Sequence, residues 1–185
     1  MARRAKPGAA EKPHEPLTRQ KLEQLALSYI NRFDCTASKL TRHLRERVRK
    51  LGGDAPDAEG WIEELVQRYQ SSGVLDDVRF ATNLASQLSA RGKSARAISQ
   101  KLAQRGVSEQ VASELRTARR EAEPSAELDA ARTYVRKRRL GSFRPPEKRE
   151  EFRQKDLAAL ARQGFSFDTA RKALAPVSNG GEDEF

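Results

Sequence analysis

Apolar residues recur every three to four positions along most of the chain, which is the spacing of helices that bury one face. The clearest case follows a pair of aspartates, Asp76 and Asp77, where apolar residues fall four positions apart at Phe80, Leu84 and Leu88. A carboxylate at a helix start accepts backbone N–H groups and complements the positive end of the helix dipole. We therefore expect both aspartates to stabilise this helix start, and not to bind a metal ion.

Two further short helices are predicted after this one, because capping residues recur. Gly92 and Gly106 suit the left-handed positions that end helices, and Ser94 and Ser108 suit the N-caps that follow them. Three helices of this size make a unit that is too small to be stable alone. We therefore expect the unit to pack against neighbours.

An internal repeat supplies those neighbours. A shift of 58 positions places Thr36 on Ser94, and a further shift of 58 places LAQRGVS at 102–108 on LARQGFS at 160–166. Such self-similarity is typical of tandem helical repeats. The sequence therefore predicts an all-α fold of three tandem trihelical repeats that form an elongated helical array.

The periodic segments and their connectors divide the chain into five parts. Both ends lack periodicity, and we expect them to be disordered or loose. Pro and Gly mark two connectors inside the repeats, at 52–60 and in GSFRPP at 141–146, as surface loops. The predicted parts are an N-terminal tail at 1–16, repeat 1 at 17–72, repeat 2 at 73–120, repeat 3 at 121–176 and an acidic C-terminal tail at 177–185.

Inside the outer repeats, several residues have a predicted place. Thr18 is the expected N-cap of the first helix, which is predicted to bury Phe33 among its inward residues. Trp61 is interpreted as a packing residue of the third helix. Asp168 is the expected N-cap of the last helix, and Pro176 is expected to stop that helix.

The net charge of +10 indicates acidic partners, either phosphates or acidic protein surfaces. A helix that begins near Ser125 carries a ridge of cations on its outer face, formed by Arg132, Arg136, Lys137, Arg138 and Arg139. The second helix of repeat 1 carries Arg42, Arg45 and Arg49 on its outer face. Each basic face fits a partner contact or an ordinary solvated helix, and the sequence leaves both interpretations open.

No residue pattern predicts a catalytic or metal site. His14 and His43 are isolated, and Cys35 is the single cysteine, so no disulfide, metal site, cofactor or nucleophile–base pair is expected. No apolar run approaches the roughly 18 residues of a membrane span, and residues 1–16 lack the apolar middle region of a secretory signal, so none is expected. We expect a cytoplasmic, monomeric binding protein, not an enzyme.

Three sequence features together resemble the RecX family of bacterial regulatory proteins. They are GVLDDVRFA at 73–81, the RGKS turn at 91–94 and the LAxxGxS pattern, which recurs with GFS at 164–166. The resemblance covers roughly residues 20–175 and implies a curved, all-helical molecule without catalytic residues. We interpret its signature residues as structural; they are Asp76, Asp77, Phe80, Ala81, Gly106, Gly164 and Phe165.

The same resemblance implies a partner. It implies binding in the groove of the filament that the RecA recombinase forms on single-stranded DNA. It also implies inhibition of the filament's ATP hydrolysis, strand exchange and co-protease activity, and hence a role in recombination, DNA repair and the SOS response. The residues alone also allow a direct nucleic-acid-binding protein built from helix-turn-helix-like units, which would contact the phosphates of single- or double-stranded DNA.

Overall fold

The computed structural model describes residues 17–51 and 56–176. Across these two ranges the chain forms nine α-helices and one 3₁₀ turn, without a β-strand, so the all-α prediction is confirmed. The predicted tails at 1–16 and 177–185 lie outside the described residues. The helices are α1 Arg19–Ile30, α2 Ala37–Lys50, α3 Ala58–Ser71, α4 Asp77–Ala90, α5 Ala95–Gln104, α6 Glu109–Ala122, α7 Ala126–Arg138, α8 Pro146–Arg162 and α9 Phe167–Leu174.

The described residues divide into two compact units, with the boundary between Leu75 and Asp76. Helices α1 to α3 belong to the first unit, and α4 to α9 belong to the second. The second unit contains two apolar clusters, one built on α4 to α6 and the other on α7 to α9. The helices of predicted repeats 2 and 3 therefore share one compact unit.

The core of the first unit is made by leucines on the inner faces of its helices. Leu22, Leu40 and Leu44 are fully buried, and Trp61 of α3 packs against the apolar cluster that contains them. The prediction that Phe33 is buried was wrong, because its side chain is 53% exposed. Helix α1 ends at Ile30, and Phe33 lies in the connector beyond the buried face of the helix.

The loop predictions need two corrections. Helix α3 begins at Ala58, so residues 58–60 of the predicted connector are helical, while residues 52–55 lie outside the described part. The segment GSFRPP at 141–146 is also partly ordered into regular structure. Gly141–Phe143 form the 3₁₀ turn, and Pro146 is the first residue of α8, a position where its missing N–H costs nothing.

Hydroxyl and carboxylate N-caps begin most helices where the sequence predicts them. The side chains of Thr18, Asp76, Ser94 and Ser108 each accept a hydrogen bond from the backbone N–H three residues ahead. For Asp76 the acceptor oxygen lies 2.8 Å from the backbone nitrogen of Arg79. These four capping predictions are confirmed.

The expected N-cap of the last helix, Asp168, is wrong by two residues. Ser166 caps α9 instead, since its Oγ accepts from the backbone nitrogen of Thr169 at 3.1 Å. Asp168 lies in the first helical turn and pairs with Arg171 and Lys172. Ser166 corresponds to Ser108 in the 58-position alignment, so the repeat itself predicts the correct cap.

The aligned segments at 102–108 and 160–166 adopt the same local structure. Gly106 and Gly164 both have left-handed backbones, with φ of 84° and 90°. The residue after each glycine, Val107 or Phe165, is buried, and a serine N-cap follows. Each helix pair therefore turns in the same way, which confirms the repeat over these residues.

The turn between α4 and α5, residues 91–94, packs against two other elements of the second unit. Gly92 has a φ of +80°, and a Cβ atom there would lie 2.9 Å from the backbone nitrogen of Tyr134 in α7. Ser94 is fully buried, and its Oγ donates to the carbonyl oxygen of Gln163 at 2.6 Å. We call this the α4–α5 turn; it joins the two apolar clusters of the unit.

Side chains of α7 complete that junction. Glu127 accepts a hydrogen bond from the backbone nitrogen of Ala95 at 2.9 Å, so it satisfies an N–H at the start of α5. Burial raises the pKa of Glu127, and the bond from Ala95 only partly opposes this. Lys137 donates to the carbonyl oxygen of Arg91 at 3.2 Å. Both ends of the α4–α5 turn are thus held by α7.

A buried ion pair organises the segment between α7 and α8. Asp156 is 1% exposed and accepts two hydrogen bonds from Arg144, at 2.7 and 2.8 Å, and one from the backbone nitrogen of Gly141 at 2.9 Å. Burial opposes ionisation of Asp156, but the bonds from Arg144 and Gly141 outweigh it, and its pKa lies below the ordinary value. No local sequence pattern singles out this pair.

Replacing Gly92 by Ala tests the close approach to α7. Gly73 is the matched control, because its φ is +73° but no atom would lie within 4 Å of a Cβ atom there. A left-handed non-glycine residue costs about 1–2 kcal/mol, and Gly92→Ala must in addition displace the backbone of α7. We expect Gly92→Ala to lower the unfolding free energy by at least about 1 kcal/mol more than Gly73→Ala in urea titrations. Equal losses would contradict the close packing.

The Asp156 pair predicts a pH dependence of stability. A carboxyl group whose pKa is lowered by folding stabilises the protein at pH values above its pKa in the unfolded chain. This stabilisation is lost as the pH falls through its pKa in the folded protein. Asp156→Asn should therefore cost about 3 kcal/mol at neutral pH and should flatten the acid dependence of urea unfolding. Asp168→Asn is the control, because Asp168 is exposed and should change stability little. An Asp156→Asn variant with unchanged acid dependence would contradict this role.

Candidate interaction surface

Helix α7 presents one buried face and one cationic face. Ala130, Ala131 and Val135 are buried in the core of the second unit. Five exposed cations lie on the outer surface of α7 and at its C-terminal end, and we call them the α7 ridge: Arg132, Arg136, Lys137, Arg138 and Arg139. The amphipathic spacing predicted from the sequence is present for Arg132 and Arg136, and all five side chains of the ridge are exposed.

Most of the α7 ridge carries no compensating charge. Arg132 lies 3.7 Å from Asp129, one turn earlier on the same helix. Among the described residues, no ion pair involves Arg136, Arg138 or Arg139. Because unpaired, exposed guanidinium groups are free to contact phosphate or carboxylate oxygens, the ridge keeps its charge available for a partner.

The end of the ridge departs from the predicted helical spacing. Helix α7 ends at Arg138, and Arg139 is its C-cap with a left-handed φ of 52°. Leu140 follows directly and is buried. Arg139 thus lies at the corner where the chain leaves α7, one residue beyond the helical surface that carries Arg132 and Arg136.

The structure adds two cations that the sequence interpretation missed. Arg91 and Lys93 lie in the α4–α5 turn, and both are exposed. The carbonyl oxygen of Arg91 accepts the hydrogen bond from Lys137, which places this turn beside the ridge. The sequence RGKS already shows two basic residues. Only the packing of the α4–α5 turn on α7 shows that these residues lie beside the cations of the α7 ridge.

The second predicted basic face lies on α2, in the first unit. Arg42 and Arg49 are exposed, and no ion pair involves either of them within the described ranges. Arg45 differs, because its guanidinium group forms hydrogen bonds with the carboxylate of Glu59 on α3. These bonds lower the pKa of Glu59 and raise that of Arg45. Arg45 therefore links two helices, while Arg42 and Arg49 stay accessible.

One aromatic cluster lies beside this basic face. The rings of Tyr29 and His43 stack with centroids 4.0 Å apart, and the tilted rings of Tyr29 and Phe33 have centroids 5.2 Å apart. Burial lowers the pKa of His43, and the charge of Arg47 lowers it further. The stacking of His43 on the ring of Tyr29 fits a packing role.

The residues of the expected family signature lie in the framework of the second unit. Phe80, Ala81 and Phe165 are buried in its apolar clusters. Asp76 caps α4, and Asp77 lies in the first turn of that helix. Gly106 and Gly164 occupy left-handed turns. Their placement supports the interpretation that these residues shape the fold.

Metal-binding clusters and membrane-spanning helices are both missing from the part of the chain that the structure describes. No group of three or more His, Cys, Asp or Glu side chains there is placed to hold a metal ion. None of the described helices is both long and apolar enough to cross a membrane.

The helices and surfaces together define an all-helical repeat protein with exposed cationic helix faces. A family model described as "RecX, second three-helix domain" matches residues 76–115, which span α4, α5 and the first half of α6. The RecX regulatory protein of Myxococcus xanthus (strain DK1622) is 45% identical over 83% of each chain. The chain therefore belongs to the RecX family of regulatory proteins.

Further relatives with the same name support this assignment. The protein from Agrobacterium fabrum is 31% identical over 78% of this chain and 74% of its own length. The protein from Thermobifida fusca is 33% identical over 91% of this chain and 83% of its own length. No solved structure matches. That these relatives are named regulatory proteins favours a regulator over an enzyme.

The α7 ridge predicts a distinction between accessible and structural arginines. Arg136→Gln combined with Arg138→Gln removes two side chains without an ion pair among the described residues, so the unfolding free energy should stay within about 0.5 kcal/mol. Arg144→Gln leaves the buried Asp156 carboxylate uncompensated and should cost about 3 kcal/mol. Urea unfolding followed by circular dichroism measures both. A large loss in the ridge variant would show that the ridge holds the fold together.

Proposed function

We propose that this protein binds the filament of RecA on single-stranded DNA and inhibits its ATP hydrolysis, strand exchange and co-protease activity. Membership of the RecX family supports the choice of partner. The single structural observation that carries the proposal is the α7 ridge. It offers exposed cations to a nucleoprotein polymer whose surface carries phosphates and acidic side chains.

The repeat organisation suits a polymer partner. Two separate basic faces, on α2 of the first unit and on α7 of the second, offer two contacts on one chain. Linked contacts can each be weak, because the second binds at the high effective concentration set by the first. We propose that a monomer acts across adjacent RecA protomers in the cytoplasm and hinders the motions or subunit additions that an active filament needs.

Direct binding of nucleic acid is the second candidate. Its support is the net charge of +10 together with the exposed arginines of the α7 ridge, which could contact DNA phosphates without any protein partner. Phosphate contacts alone give affinity without sequence specificity. The two candidates therefore differ in whether RecA on the DNA strengthens or weakens binding.

Binding to bare and to RecA-coated single-stranded DNA, measured as a function of salt, separates the two functions. We expect tighter binding to the coated DNA, and inhibition of ATP hydrolysis at far fewer than one copy per RecA. Tighter binding to bare DNA, with an affinity that falls steeply with salt, would instead support the nucleic-acid-binding protein.

A ridge variant tests which residues make the contact. Replacing Arg132, Arg136 and Arg139 by Ala should weaken filament binding and inhibition by about tenfold or more, since exposed charge pairs contribute up to about 1 kcal/mol each. The matched control replaces three exposed cations of α8, Lys148, Arg153 and Arg162, and removes the same total charge. Equal losses in the two variants would show that net charge, not the ridge, governs binding.

A further inference from the structure

A groove in the second unit lies apart from the α7 ridge. It has a volume of about 440 Å³ and runs between α5, α6 and the first turns of α7 and α9. Its floor is apolar and includes Ala85, Ile98 and Leu102. Such a floor accepts an apolar or aromatic side chain, because burial of that side chain removes apolar surface from water.

Arginines line the sides of this groove. Arg96 comes from α5, and Arg116, Arg119 and Arg120 come from α6. Hydroxyl groups orient two of them, since Arg116 donates to Ser99 at 3.2 Å and Arg119 donates to Ser86 at 3.2 Å. A hydroxyl group carries no charge, so these hydrogen bonds orient the two guanidinium groups without neutralising them.

The acidic residues of the groove compensate only part of this charge. Two glutamates, Glu123 and Glu127, line it beside the four arginines. Glu127 already accepts the backbone N–H of Ala95, and its carboxylate is committed to the start of α5. Arg116 also lies 3.6 Å from Glu109, beyond hydrogen-bond distance. The groove therefore combines an apolar floor with excess positive charge.

A ligand that matches the groove carries carboxylates next to an aromatic ring. Residues 177–185 of this chain, VSNGGEDEF, have that composition, with Glu182, Asp183 and Glu184 directly before Phe185. A DNA strand is the other polyanion that arginines attract. The apolar floor and the two glutamates favour a short acidic segment with one ring over a continuous chain of phosphates.

The distances allow this segment to reach the groove. The described chain ends at Pro176, two residues after α9, and Ser166 and Thr169 at the start of α9 line the groove. A helix of that size is about 12 Å long, and nine extended residues span about 30 Å. Because the segment is on the same chain, its effective concentration at the groove reaches the millimolar range.

We propose that this groove is a docking site for an acidic, aromatic peptide segment, and that its occupant is residues 177–185 of the same chain. Docking neutralises arginines of α5 and α6 and covers the apolar floor.

The test uses a chain shortened to residue 176 and a fluorescent peptide that contains residues 174–185. We expect the peptide to bind the shortened chain with a weak, saturable affinity. Arg116→Gln with Arg120→Gln should weaken binding at least fivefold. The control pair Arg138→Gln with Arg139→Gln removes the same charge from the α7 ridge and should change binding less than twofold. Equal weakening by both pairs, or no saturable binding, would overturn the proposal.

Further measurements separate docking in the groove from general charge attraction and from loss of folding. A peptide with Glu182→Gln, Asp183→Asn and Glu184→Gln should bind at least fivefold more weakly, and circular dichroism should show that the groove variant keeps its unfolding midpoint. In the full chain, a benzophenone side chain at position 185 should cross-link to α5 or α6. Cross-links only outside the groove would overturn the proposal, as would a groove variant that loses oligonucleotide binding while peptide binding stays unchanged. None of these measurements involves RecA, so their outcome is independent of the proposed function.

Discussion

The docking of the α4–α5 turn between α7 and the end of α8 is the contact on which the second unit depends. It needs a glycine at position 92, since any Cβ atom there would meet the backbone of α7 at 2.9 Å. It also needs a small hydroxyl at position 94, because the Oγ of Ser94 both caps α5 and donates to the carbonyl oxygen of Gln163. A larger or apolar residue would leave buried backbone groups unsatisfied.

This contact also determines what the surface presents. Helix α7 packs on α9 through its alanines and Val135, and it holds the α4–α5 turn through Glu127 and Lys137. Only the remaining face of α7 is left for solvent, and that face carries the ridge. The cations of the turn are brought beside it by the same packing. The basic surface is therefore a consequence of how two helical repeats join.

Much of the fold could be predicted from the sequence, because helix ends are decided by local chemistry. Asp76, Ser94 and Ser108 cap helices by contacts three residues away, and Gly106 needs only a left-handed backbone. These signals are short-range and need no knowledge of the tertiary structure. The error at Asp168 has the same origin, since two residues suited to capping lie two positions apart, and only the alignment of Ser166 with Ser108 distinguishes them.

The candidate site was harder to predict, because its features depend on contacts between distant residues. The outward arginines of α7 follow from periodicity, but the nearness of Arg91, the pairing of Arg45 with Glu59 and the buried Asp156 do not. The groove is likewise formed by residues far apart in sequence, so no local pattern marks it. Charge identifies candidates along the chain, and packing decides which of them are accessible.

Native-state hydrogen exchange in low denaturant tests the central claim most directly. If the α4–α5 turn joins the two clusters, the slowest-exchanging amides of α4 and α5 and those of α7 and α9 should become exposed in the same opening reaction. Both sets should then show the same opening free energy and the same dependence on denaturant. Replacing Ser94 by Ala should lower the opening free energy of both sets of amides by the same amount. Two sets that open independently, or a Ser94→Ala effect confined to α5, would contradict the claim that this turn makes one cooperative unit.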